Sequence, residues 1–201
     1  FVDCGKVLPS FELAIRGDDG SDLPDNQCGR ICLRGPSVMT GYFQNPAATE
    51  ESLSSDGWLD TGDIGYRIGE NIVVTARRKD VIIVNGRNIW PHDLEYLAET
   101  LPGVRFGNVS AFSFSDEKGS DQVVMVVESR EKNPAKIRTL VSELSALMTE
   151  NFGIVCHIDL VPPRTLPRTS SGKLSRSKAK QDFLARLELF NASSRLAIIH
   201  I

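Results

Sequence analysis

The sequence predicts an α+β protein: a β-rich unit, then a small α/β domain whose short antiparallel sheet is flanked by helices. Three observations lead there. Up to about residue 76 the apolar runs are short and broken by turn-rich segments such as GDDGSDLPDNQ. Beyond Arg78-Lys79-Asp80, two stretches carry apolar residues at helical three-and-four spacing: Leu94, Leu97, Ala98 and Leu101, then Ile137 through Met148. Around these lie β-branched runs, VIIV (81–84), VVMVVES within 122–129 and IVCHIDLV (154–161). The organisation expected is a β-rich subdomain over 1–76, a polar hinge over 77–80, a second domain over 81–190, and a tail, 191–201, left unassigned.

In order along the chain, VLPSFELAI (7–15) and GRICLRG (29–35) read as strands. Asn45-Pro46 starts one helical turn near Ala47–Leu53. DIGYRIGENIVVTAR (63–77) reads as a β-hairpin turning at Gly69-Glu70-Asn71, with Ile68 opposite Ile72. That register sets Tyr66 against Val74, Ile64 against Ala76, and Asp63 against Arg77 at the open end. Pro91, favoured in a first helical turn, opens the helix PHDLEYLAETL, with Asp93 and Glu95 near its N-terminus. Strands follow near 104–114 and 122–129, joined by the turn SDEKGSD. A helix over 134–151 buries Ile137, Leu140, Val141, Leu144, Leu147 and Met148. After the strand at 154–161, Pro162-Pro163 lead into a basic loop and a helix from about Ser175 to Leu189.

Composition narrows the function classes. At 201 residues, 41% apolar and a net charge of −3, the chain reads as an ordinary soluble globular protein. No apolar run approaches the roughly 20 residues of a membrane span, and no signal-peptide pattern opens the chain. It begins at Phe1 on what reads as mid-domain sequence, so a piece of a longer chain is expected. Cys4, Cys28, Cys32 and Cys156 form no CxxC pair, which favours buried free thiols in a reducing cytoplasm over a metal site or disulfides. Charge is uneven: residues 164–186 carry seven cations against Asp182 alone, a local +6.

That basic segment holds a Gly-Lys pair within LPRTSSGKLSRSK (166–178). It does not fit a Walker phosphate loop. Pro167 occupies the first glycine position and lacks a backbone donor, and Leu174 replaces the magnesium-binding hydroxyl. Alone, the segment reads as a solvated basic loop.

It stands in order with WLDTGDIGY (58–66), ARRKDVIIVNGRNIWPHDLE (76–95) and the upstream GRICLRGPSVMTGYFQNPAATEE (29–51). Together these stretches resemble the adenylate-forming superfamily of acyl-CoA synthetases, fatty-acyl-AMP ligases, peptide-synthetase adenylation domains and luciferases. They match its TGD motif, its hinge motif, its C-terminal PxTxxGKxxR motif and a further upstream pattern, over residues 1–188. The resemblance implies the C-terminal part of a longer enzyme whose missing N-terminal domain holds the phosphate loop and acyl pocket, leaving this piece inactive alone. It implies Lys173 as the catalytic cation, Asp63 and Arg77 as ribose-binding residues, and Lys79 as the hinge. Gly86, Arg87 and Asn88 would line the path of the incoming thiol. ATP, converted to AMP, with Mg2+ would be required, a fatty acid or other carboxylate would be activated, and CoA or a phosphopantetheine-bearing acyl carrier protein would accept the acyl group.

The chain departs from the commonest pattern at Ala76, where the hinge motif usually has Gly, and at Asn88, where some members carry Arg. GRN before an aromatic and Pro, with TSSGK later, most resembles fatty-acyl-AMP ligases and long-chain fatty-acid–CoA ligases. CGKVLP and VNGRN lean toward the AMP ligases and a carrier-protein acceptor. A reading of another class makes 164–186 a basic module for a carrier protein or nucleic acid. Against nucleic acid, the stretch has a single aromatic, Phe183, and so no stacking platform.

Overall fold

The computed structural model describes residues 2–116 and 119–198, with side-chain surroundings as far as Phe190. The chain divides into two compact units, Phe1–Lys79 and Asp80–Ile201. The first carries a five-stranded sheet, the second a three-stranded and a two-stranded sheet.

The first unit is a five-stranded antiparallel sheet. Its strands are β1 (Val2–Lys6), β2 (Glu12–Arg16), β3 (Gly29–Arg34), β4 (Leu59–Ile68) and β5 (Asn71–Arg77), in the order β1-β5-β4-β3-β2. The strand expected over 7–15 begins only at Glu12, because Pro9 lies in a turn that Phe11 N closes onto the Leu8 carbonyl at 2.9 Å. Helix α1 (Pro46–Ser52) starts as the sequence implies: the Asn45 side chain accepts from Ala48 N at 3.1 Å, and Pro46 takes the first turn.

The β4–β5 hairpin corrects the predicted register in two places. Its turn holds only Gly69 and Glu70, so Ile68 faces Asn71 rather than Ile72, and Tyr66 faces Val73 rather than Val74. Gly69, at φ +59°, supplies the positive first position that a type II′ turn requires. A bulge between Ile64 and Gly65 then adds one residue on β5, Thr75. The Thr75 hydroxyl donates to the Ile64 carbonyl at 3.0 Å. Beyond the bulge the pairing returns to Ile64–Ala76 and Asp63–Arg77. Gly65 permits this, since a Cβ there would lie 2.2 Å from the Val73 carbonyl oxygen.

A 3-10 turn over Arg78–Asp80 spans the division, and the second unit, from Asp80, continues into a hairpin of β6 (Ile82–Val84) and β7 (Arg87–Ile89). Its main sheet is β10-β9-β8, from β8 (Val109–Ser115), β9 (Asp121–Glu128) and β10 (Cys156–Val161). β8 and β9 pair antiparallel as expected, while α3 (Pro134–Phe152) carries the chain back so that β10 enters parallel to β9. Residues 117 and 118 of the β8–β9 turn lie outside the described residues.

β9 explains its own unbroken apolar run: both its faces are covered. Val123, Met125 and Val127 pack with Leu94, Ala98, Leu140, Leu144 and Met148 from α2 (Pro91–Ala98) and α3. Val124 and Val126 pack on the other side with Ala179 and Phe183 of α4 (Arg176–Ile198). α3 is framed by its caps: Asn133 accepts from Ala135 N at 2.9 Å, and Gly153 ends the helix at φ +66°.

Other boundaries also differ. α2 ends at Ala98 rather than at residue 101, and β8 starts at Val109 rather than near 104, because Gly103 and Gly107 take positive φ in the intervening turns. α4 runs on to Ile198, into the unassigned tail, of which residues 199–201 lie outside the described residues. All four cysteines are free, but Cys4 and Cys28 are exposed rather than buried, both being on the first unit's periphery.

Candidate functional site

Lys173 sits on a tightly built loop. Thr169 N donates to the Lys173 carbonyl at 2.8 Å, and Gly172 N to the Thr169 carbonyl at 2.9 Å. Gly172 takes φ +80°, which lets four residues reverse the chain. Ser175 N closes the base of the loop onto the Pro167 carbonyl at 2.9 Å. Arg168 then ties the loop to the turn before β8, donating to the Gly107 carbonyl, to Asn108 Oδ1 at 3.2 Å and to the Gly172 carbonyl at 3.1 Å. At the other side, Leu166 N donates to the buried Glu128 carboxylate at 2.8 Å. The Lys173 side chain is exposed, and no carboxylate lies within ion-pair distance among the described residues. The loop is fixed by its neighbours while its ammonium is left available.

Arg176 fixes the loop from behind. Its guanidinium meets Glu95 of α2 with two bonds, Nε to Oε1 at 2.8 Å and Nη2 to Oε2 at 2.7 Å. Its Nη1 reaches Asp80 Oδ2 at 3.2 Å. Glu95 Oε1 also accepts from Ala111 N at 3.0 Å. Burial works against the Arg176 charge. The Glu95 hydrogen bonds and the Glu95 and Asp80 charges outweigh it, leaving the pKa above the ordinary arginine value. Sequence reasoning placed Glu95 at a helix N-terminus and Arg176 in a basic run, and so missed their pairing across 81 positions.

The turn over 84–87 is a two-residue hairpin, with Asn85 at φ +52° and Gly86 at φ +73°. Asn-Gly is the strongest short hairpin signal, and it was available in the sequence. Arg87 donates from Nη1 to the Phe152 carbonyl at 3.2 Å, on the last turn of α3. Asn88 and Gly86 are exposed. Lys79 is exposed in the 3-10 turn and is the last residue of the first unit.

In the first unit, Asp63 and Arg77 stand opposite one another, with Arg77 Nε 3.1 Å from Asp63 Oδ1. Asp63 N donates to Thr61 Oγ1 at 3.1 Å, and Thr61 Oγ1 donates to the Ile31 carbonyl at 2.9 Å. Asp60 accepts from Gly62 N at 2.9 Å and from Arg30 Nη1 at 2.9 Å. Every polar side chain of the TGD stretch is thus held by a neighbour. Asp63 stands at the rim of an apolar groove of about 390 Å³, lined by Phe11, Leu13, Leu33, Ile72 and Val74.

The basic run has a local explanation. Arg168 is spent on carbonyls, Arg176 on Glu95 and Asp80, and Arg186 on Asp159 at 2.6 Å. Phe183 is core, ringed by Phe112, Phe114 and His157 at centroid distances of 5.8 Å each. Among the described residues, no group of three His, Cys, Asp or Glu side chains is arranged to hold a metal, and no helix is long and apolar enough to cross a membrane.

In sequence and in fold the chain matches the C-terminal part of adenylate-forming enzymes, and it belongs to that superfamily. The relatives that carry this conclusion are close. The chain is 48% identical over 186 residues to a Caulobacter vibrioides (strain NA1000 / CB15N) protein named "Putative acyl-CoA synthetase", an overlap of 92% of this chain and 32% of that one. It superposes at TM-score 0.81 and 39% identity on a structure from studies of fatty acyl-adenylate ligases from E. coli and L. pneumophila, over 94% of this chain and 33% of the other. McyG A-PCP complexed with phenylalanyl-adenylate gives TM-score 0.81 at 31% identity, over 93% and 34%. The chain spans about a third of the length of these proteins. No family model matches it.

Proposed function

We propose that this chain is the C-terminal part of an ATP-dependent carboxylate-activating ligase that forms an acyl-adenylate and passes the acyl group to a pantetheine thiol. The observation that carries the reading is the Lys173 loop: an exposed ammonium with no ion-pair partner among the described residues, on a loop anchored by Arg168, Glu128 and Arg176. In the first step a carboxylate oxygen attacks the α-phosphorus of ATP, and the bond to the pyrophosphate leaving group breaks. Two anions approach, so a cation between them stabilises the transition state, and Lys173 supplies it. Asp63 accepts from the ribose hydroxyls and Arg77 binds the same ribose beside it; with Oδ1 engaged by Arg77, Asp63 Oδ2 faces the sugar. Mg2+ arrives with ATP as part of the substrate.

In the second step a thiolate attacks the acyl carbonyl and AMP leaves. Rotation at Lys79, within residues 77–80, exchanges the Lys173 loop for the 84–88 hairpin. Gly86 lets the pantetheine arm pass close to backbone, with Arg87 and Asn88 beside it. A fatty acid is the favoured carboxylate and a carrier protein the favoured thiol, supported by the VNGRN and CGKVLP stretches and the fatty acyl-adenylate ligase neighbour. CoA is the second candidate acceptor, supported by the Caulobacter relative's name.

The test is carboxylate-dependent exchange of pyrophosphate into ATP by the whole protein, across a fatty-acid series. Holo-carrier protein and CoA are then supplied separately. Acyl transfer to the carrier alone is expected. Transfer to CoA alone would overturn the acceptor assignment, and absence of exchange with every carboxylate would overturn the reading.

A further inference from the structure

We infer that Arg176 is a positioning residue that locks the Lys173 loop to Asp80, the first residue of the second unit, so that Lys173 and Asp80 move as one body. The inference rests on the adenylation reading above. Arg176 lies three residues after Lys173, and Asp80 directly follows Lys79. The guanidinium joins the two through the 3.2 Å bond to Asp80, while its two bonds to Glu95 fix it to α2. The side chains keep only 27%, 21% and 13% of their exposure at Arg176, Asp80 and Glu95.

Local stability does not explain this arrangement. A cation in the first turn of α4 opposes the helix dipole. A largely buried charge cluster is also weak evidence of stabilisation, because desolvation offsets much of the attraction. What the cluster does provide is geometry. The planar fork fixes direction as well as distance, which a lysine could not do. Asp80, α2 and the start of α4 are thereby held in one relation, and Ser175 N on the Pro167 carbonyl passes that relation to the loop. Without the fork, rotation at Lys79 would still move the second unit. The ammonium would then arrive with its loop loosely aimed.

The experiment compares Arg176→Lys, Arg176→Met and Asp80→Asn in the whole protein. For each, kcat and KM are measured for pyrophosphate exchange, and separately the rate of thiol acylation from a supplied acyl-adenylate. Displacing a positioned group by about 1 Å costs on the order of 100-fold in rate. The expected result is a 10- to 100-fold fall in exchange kcat with the KM for ATP unchanged. Acylation from the supplied adenylate should stay within twofold, and Arg176→Lys should not rescue. The isosteric Asp80→Asn keeps the experiment informative if Arg176→Met unfolds. The Arg176→Met, Asp80→Asn double variant should lose little more than Arg176→Met alone. Equal losses in both half-reactions, or full exchange activity in folded Asp80→Asn, would overturn the inference. A wild-type protein that catalyses no exchange would overturn the adenylation reading and this inference with it. Full exchange in the Arg176 variants, beside loss in Lys173→Ala, would overturn this inference alone.

Discussion

Asp63 and Arg77 form a half-exposed pair at the end of a hairpin, and such pairs contribute about 0–1 kcal/mol to folding. Under the proposed function, their value lies in the ribose contact of the other Asp63 oxygen. Asp63→Asn should therefore leave the melting temperature nearly unchanged and raise the KM for ATP about 10- to 100-fold, the 1.5–3 kcal/mol of charge-assisted hydrogen bonds. ATP titration of exchange alongside thermal unfolding checks both halves; a large fall in stability with unchanged KM would contradict the ribose role. The juxtaposition of these two was legible from strand pairing alone. Lys173 was legible only through the family resemblance, since a Gly-Lys in a basic loop has an ordinary solvated reading. The Arg176–Glu95–Asp80 cluster was not legible at all. Its members are separated by 81 and 96 positions and are brought together by the packing of α2, α4 and the 3-10 turn.

The β4–β5 hairpin reached the right end by a different route. The sequence pattern implies a three-residue turn and an unbroken ladder; the molecule uses a two-residue turn and a bulge at Thr75, and the two differences cancel at Asp63 and Arg77. Bulges leave little trace in periodicity, because one extra residue mimics a shift of register. Gly65 is the local signature, since only a residue without Cβ clears the Val73 carbonyl. Gly65→Ala should destabilise the protein by roughly 1–3 kcal/mol, read as a lower denaturant midpoint at unchanged slope. An unaltered midpoint would show that the ladder can relax around the bulge. α2 and β8 match the sequence expectation in kind but not in extent, because positive-φ turns at Gly103 and Gly107 intervene, and the Gly107 turn is held by Arg168, which no local pattern reveals.

The chain forms two compact units, and each holds a buried thiol that reports on its integrity, Cys32 in the first and Cys156 in the second. Burial pushes the Cys156 thiol up to about 12, and burial, with the Asp60 charge next, also raises Cys32. At pH 8 a thiol reagent should label Cys4 and Cys28 quickly, and Cys32 and Cys156 only on unfolding. Four fast thiols would contradict the packing. The sign of the pH effect follows. Below the unfolded thiol's pKa of about 9 both states hold the proton, and the thiol's contribution is fully present. Between about 9 and 12 only the unfolded chain ionises, so stability falls by up to ~1.4 kcal/mol per pH unit for Cys156. Cys156→Ser should flatten that part of the profile.

The central claim is that Lys173 serves adenylation alone, on a unit that swings about Lys79. It is tested most directly by separating the two half-reactions in Lys173→Ala of the whole protein. The account predicts that carboxylate-dependent pyrophosphate exchange falls about 100- to 1,000-fold, as for loss of one charge-stabilising group. Acylation of the thiol from supplied acyl-adenylate should continue near the wild-type rate. Undiminished exchange, or equal loss of both half-reactions in a folded protein, would contradict it.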